Sequence, residues 1–124
     1  MSTQTPLSRV EGLGAAHSGT THFWRQRVTA VALIPLSIWF AVAVLGSVGA
    51  TEAETVGFFQ HPVNAVLMAG FIVIALYHTV LGLQVLIDDY VYGDGAKIFL
   101  MLLNRAFALA VGAGCLLALL RIAI

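Results

Sequence analysis

The sequence predicts an all-α integral membrane protein with three transmembrane helices, its N-terminus cytoplasmic and its C-terminus outside. Three observations carry that expectation. Three separate apolar stretches are each long enough to cross a bilayer, and only 10% of the 124 residues are charged against 60% hydrophobic. Basic residues also crowd the approach to the first stretch, whereas the first loop is acidic. A soluble domain carries roughly 25% charged and 45–50% apolar residues. A chain this short has too little interior to hide such an excess from water. The mean hydropathy of +0.95 therefore points to lipid as the solvent.

Residues 1–27 read as a cytoplasmic N-terminal arm with an interfacial lead-in, and residues 28–124 as one three-helix membrane unit. The arm is rich in Ser, Thr and Gly and is expected to be mostly irregular, with Thr20 or Thr21 capping a short turn before the first helix. The spans fall at about 28–50, 62–87 and 98–120. A crossing helix needs about 20 mostly apolar residues, so each qualifies. Pro35 removes one backbone donor within the first span and is expected to bend it. Thr51–His61 and Asp88–Lys97 read as short loops.

Charge sets the topology. Arg9, Arg25 and Arg27 precede the first span, while Glu52 and Glu54 stand in a first loop without Lys or Arg. The positive-inside rule then places the N-terminus and the second loop, with Lys97, in the cytoplasm. Trp24 and Tyr90 fall where the inner aromatic belt belongs. Zero formal net charge gives no reason to expect nucleic acid, and one cysteine, Cys115 in an apolar run, excludes an internal disulfide or a thiolate metal centre. Serine-nucleophile, P-loop and dinucleotide fingerprints are absent, so no complete active site is expected.

The third span repeats small residues every fourth position, at Ala106, Ala110, Gly114 and Ala118. That spacing lets two helices approach closely in lipid. The partner is either the chain's own other helices or another subunit.

His78 lies inside the second span, roughly 13 Å from its cytoplasmic end at 1.5 Å per residue. An imidazole at that depth needs a hydrogen-bond partner, an ion pathway or a metal. Helical rotation puts Gly82, Val85 and Asp89 within about 40° of it, and Gly82 leaves that face without bulk, as a flat macrocycle requires. A b-type haem takes a neutral imidazole in an apolar cavity. His22 and His61 sit at opposite membrane edges, and Met68 or Met101 is more simply core filler. A second axial ligand is thus best sought on another polypeptide, which makes this chain a subunit. The alternative is a non-redox scaffold or small transporter subunit in which His78 is only hydrogen-bonded.

Asp88-Asp89-Tyr90-Val91 ends the second span. Tyrosine and carboxylates belong at such a boundary. A phenol beside a carboxylate is equally a polarised donor, suited to a quinone carbonyl. Arg25 and Arg27 serve topology or pair with a haem propionate. Arg105 either snorkels or pairs within the bundle.

The segment His78-Thr-Val-Leu-Gly-Leu-Gln-Val-Leu-Ile-Asp-Asp-Tyr-Val-Tyr-Gly-Asp94 resembles the small hydrophobic anchor subunit of bacterial succinate dehydrogenases. His78, Gly82, Asp89 and Tyr90 fit that pattern without adjustment, and Gln84 sits one position early. The run Ser18–Ala30 looks like the family's lead-in. The resemblance implies that His78 is an axial ligand of haem b, with Gly82 at the haem face and the other ligand on a larger cytochrome b anchor subunit. It implies that Tyr90 binds ubiquinone with support from Asp89, and that Arg27 lies near a haem propionate or the quinone pocket. FAD, the iron–sulfur clusters and succinate oxidation would belong to a flavoprotein and an iron–sulfur subunit docked on the cytoplasmic face of the bacterial inner membrane. The anchor would then be non-catalytic alone. A fumarate reductase anchor is the near alternative.

Overall fold

The computed structural model describes residues 5–11 and 18–124, and every regular element among them is a helix. α1 (Pro6–Glu11) is followed by α2 (Ser18–Gly46), α3 (Glu52–Gln60), α4 (Pro62–Tyr90) and α5 (Asp94–Ala123). α2, α4 and α5 are each long and apolar enough to cross a membrane. The remainder of the predicted arm, residues 1–4 and 12–17, lies outside the described residues.

The helices outrun the apolar stretches that announced them. α2 runs from Ser18 straight through Thr20, Thr21 and Pro35, so the lead-in is the opening of the helix itself and neither threonine caps it. The reason is that a helix satisfies its own backbone whether its side chains are polar or apolar. Hydropathy marks only the part that lipid touches. Pro62 opens α4 at a position where its missing N–H is no loss. The second loop shrinks to residues 91–93.

The first loop is a helix. Thr51 and Glu54 close a capping box: Thr51 Oγ1 accepts from Glu54 N at 3.3 Å, and Glu54 Oε2 accepts from Thr51 N at 2.7 Å. The Glu54 carboxyl is held below its ordinary value by the bond from Thr51 N, most strongly, and by a second from the Thr51 hydroxyl to the same Oε2 at 2.8 Å. α3 then lies against α4 and α5. Phe58 stacks on Trp39 of α2, with ring centres 6.4 Å apart, and its carbonyl accepts from Asn64 Nδ2 at 2.9 Å. Gly49, with φ of 81°, makes the left-handed turn that releases the chain from α2.

α4 is the centre of the bundle. It packs on both α2 and α5, whose backbones do not approach each other. Gln26, Thr29, Leu33, Leu36, Phe40 and Ala43 are half-buried on α2 at alternating spacings of three and four, a left-handed packing seam toward α4. Phe40 stacks on Phe71 of α4 at 4.6 Å. On the other side Asn104 Nδ2 donates to Val80 O at 3.1 Å, and a Cβ on Gly112 would stand 3.1 Å from Leu76. Gly112 is therefore the close-approach residue of α5. Ala106, Ala110, Gly114 and Ala118 are all exposed, so their stripe does not pack on the chain's own helices. Only Leu81, at 5% exposure, is buried among the described residues. Lipid and partner surfaces must cover the rest, because three helices enclose almost no interior.

Candidate functional site

His78 is half-buried on the α4 face that meets α2. Its Nδ1 lies 2.9 Å from Thr29 Oγ1, and its Nε2 lies 3.4 Å from Gln26 Nε2. The protonation pattern is assigned from this network. Thr29 Oγ1 lies 2.8 Å from Arg25 O and 3.0 Å from Gln26 O, so its single hydrogen has backbone acceptors. Its oxygen is left to accept Nδ1–H. Nε2 is then the bare nitrogen, capped only by a long bond from the Gln26 amide. Gln26 Oε1 is enclosed and has no hydrogen-bond partner. An unsatisfied buried acceptor costs about 1–3 kcal/mol, so Gln26 is held weakly.

Gly82 stands one turn from His78 on the same face. A Cβ there would meet Gln26 Nε2 at 3.5 Å, an ordinary van der Waals contact. The side-chain-free space that the sequence leaves beside Gly82 is thus taken by Gln26 in the single chain. Arg27, exposed on α2, belongs to the same level of the bundle because Gln26 and Thr29 flank it in sequence and both reach His78. Its guanidinium lies over the Phe23 ring, 4.8 Å from the centroid.

Asp89 and Tyr90 are not brought to His78. They stand about 17–18 Å further along α4 at 1.5 Å per residue, and Tyr90 is 75% exposed at the helix end. The structure therefore separates two loci, an intramembrane imidazole and an open Asp–Tyr edge. Asp88 pairs with Lys97 at 3.2 Å, and Lys97 also donates to the Asp88 carbonyl, so this carboxylate ties the α4–α5 turn. Among the described residues no three His, Cys, Asp or Glu side chains gather as a metal-binding cluster.

The sequence reading missed Thr29 and Gln26. They are three residues apart where the first span begins, a spacing that puts both on one helix face. What it lacked was the register of α2 on α4. His22 lies within α2, half-buried and one turn before Gln26, with Nε2 enclosed and unpartnered. Arg105 is exposed and forms no ion pair among the described residues. It lines a groove with Arg25, His22 and Gln84.

Fold and site together define a multi-pass helical membrane protein organised round one intramembrane histidine whose ring is oriented by a neighbouring helix. Comparison with known proteins makes the class specific. Residues 1–119 match the succinate dehydrogenase/fumarate reductase transmembrane subunit family, and the chain belongs to that family. It is 35% identical to the succinate dehydrogenase hydrophobic membrane anchor subunit of Paracoccus denitrificans, over 94% of this chain and 90% of that one. It is 26% identical to the same-named subunit of Rickettsia bellii, over 83% and 82% of the two chains. It is 30% identical to the succinate dehydrogenase membrane anchor subunit of Reclinomonas americana, over 76% and 81%. No solved structure matches the chain.

Proposed function

We propose that this chain is the haem b-carrying membrane anchor subunit of a succinate:ubiquinone oxidoreductase in a bacterial inner membrane, N-terminus in the cytoplasm. It tethers a flavoprotein and an iron–sulfur subunit, which hold the FAD and the clusters. It pairs with a larger cytochrome b anchor that supplies the second haem ligand. Family membership supports the anchor role. The observation that carries the haem reading is His78, with Nδ1 engaged by Thr29 and Nε2 only loosely capped.

The residues present fit the group. A ligating histidine ordinarily donates its far N–H to a fixed acceptor, which sets the tautomer and raises the basicity of the other nitrogen. Thr29 is such an acceptor. Withdrawal of the weakly held Gln26 amide clears both Nε2 and the space beside Gly82. Haem, when bound, supplies a one-electron centre in an apolar setting. Arg27 offers a guanidinium of the shape that pairs with a propionate. At the other locus, Tyr90 donates its phenol hydrogen to a ubiquinone carbonyl, and Asp89 orients that phenol and passes protons toward the reduced head group.

The test is the visible spectrum of the complex co-purified through this chain. A b-type band is expected, and it disappears or shifts in His78→Ala. An unchanged band would leave the non-redox scaffold reading. A fumarate reductase anchor, using a low-potential quinol, is the second reading because the matched family covers both enzymes. The quinone extracted with the complex separates the two.

A further inference from the structure

α4 has two open flanks. On one, Thr79, Leu83, Leu86 and Tyr90 are exposed, and this flank continues round from Gly82. The other holds a groove of about 930 Å³, bounded by the start of α2 on one side and α5 on the other. His78 does not line it. The groove is therefore separate from the proposed haem face and from the Asp89–Tyr90 edge.

Its polarity changes from one end to the other. Arg25, Arg105 and Gln84 line one end, and His22 joins them with its enclosed, unpartnered Nε2. Beyond them the lining is apolar, reaching Val73 on α4 and Leu116 on α5. Gln84 to Val73 and Arg105 to Leu116 are each about 16 Å along their helices. Half the hydrocarbon thickness of a bilayer is about 15 Å. The groove is thus about one leaflet long, with its charges gathered toward one end. No carboxylate balances them, because the one ion pair among the described residues is Lys97–Asp88. Two uncompensated guanidiniums at one end of the groove call for an anion, and an apolar track one leaflet long calls for a hydrocarbon chain.

We propose that this groove binds an anionic phospholipid, its phosphate held by Arg25 and Arg105 and one acyl chain laid along Tyr77 toward Val73 and Leu116. Guanidinium groups suit phosphate because they present paired N–H donors in one plane. The flanking α4 and α5 side chains hold the chain against the protein in place of bulk lipid. The site explains Arg105, which finds no partner within the bundle. It does not depend on haem, and it leaves the opposite flank of α4 to the companion anchor.

Native mass spectrometry of the intact complex in mild detergent tests the proposal, with phosphatidylglycerol and phosphatidylcholine of identical acyl chains as probes. Phosphatidylglycerol is expected to be retained at least about tenfold more tightly, since each basic side chain near a membrane surface favours anionic lipid severalfold. The double variant Arg25→Gln/Arg105→Gln should remove that preference, while Arg121→Gln at the far end of α5 should not. Ala113→Trp, which fills the apolar track without touching a charge, should weaken retention of phosphatidylglycerol too. Unchanged co-purification of each variant with the other subunits reports that the chain still folds. Equal retention of the two lipids, or a preference surviving the double variant, would overturn the assignment. So would release of the lipid by millimolar inorganic phosphate, which would make free phosphate the ligand. A photocrosslinker at Ala113 that links a companion subunit in place of lipid would also overturn it.

Discussion

Thr29 Oγ1 lies 2.9 Å from His78 Nδ1, a hydrogen bond between the first and second spans that orients the imidazole ring. Removal of such an orienting partner ordinarily costs a metal site 10–100-fold in affinity. Thr29→Val, which keeps the shape and deletes the oxygen, should therefore lower haem retention on dialysis by on the order of tenfold and shift the midpoint potential. Thr29→Ser should restore both. If Thr29→Val leaves occupancy and potential unchanged while His78→Ala abolishes the band, the bond is packing alone.

Gly82 discriminates by size. Its added Cβ would meet only Gln26 Nε2, at 3.5 Å. Gly82→Ala should therefore assemble with the normal visible spectrum. Gly82→Leu should drive side-chain bulk into the space that Gln26 must vacate, and the haem-to-protein ratio should fall severalfold. A full haem complement in Gly82→Leu would place the macrocycle elsewhere.

Tyr90→Phe keeps the ring and removes one donor. Loss of a single substrate hydrogen bond lowers rate by on the order of tenfold. Succinate-dependent quinone reduction should fall by that factor, while succinate oxidation by a soluble dye continues at the wild-type rate. Parallel loss of both activities would assign the residue to docking of the soluble subunits.

The capping box of α3 gives a pH dependence. The folded Glu54 carboxyl is held below its ordinary value of 4.5 by its bonds to Thr51. Its contribution is fully present above that ordinary value and is lost as pH falls through the lower folded one. Amide exchange across residues 52–60 should accelerate on acidification through that window, after correction for intrinsic rates. Thr51→Ala should accelerate it by on the order of fivefold at neutral pH, the usual effect of a lost cap. Exchange indifferent to both would mean that α3 is held by Phe58 and Trp39 instead.

Composition and charge-free run lengths were enough for the class and the number of spans, because lipid punishes unsatisfied backbone so heavily that twenty apolar residues have one sensible conformation. The helix between the first two spans was also written in the chain, in Thr51 and Glu54 three residues apart. It does not stand out, because a polar segment between two spans reads as a loop. The polar start of α2 was hidden for a related reason, since hydropathy measures contact with lipid and not helical state.

His78 and Gly82 could be singled out from one helix alone, by depth and by rotation. Their surroundings could not. That the Gly82 space is occupied by Gln26, that Gly112 and not the Ala106–Ala118 stripe is the close contact of α5, and that Arg105 faces a groove all depend on how one helix is rotated against the next. A sequence specifies each helix's own periodicity through bonds four residues apart. The relative rotation of two helices is decided by contacts between residues such as Thr29 and His78, far apart in the chain, and those exist only once the bundle has packed.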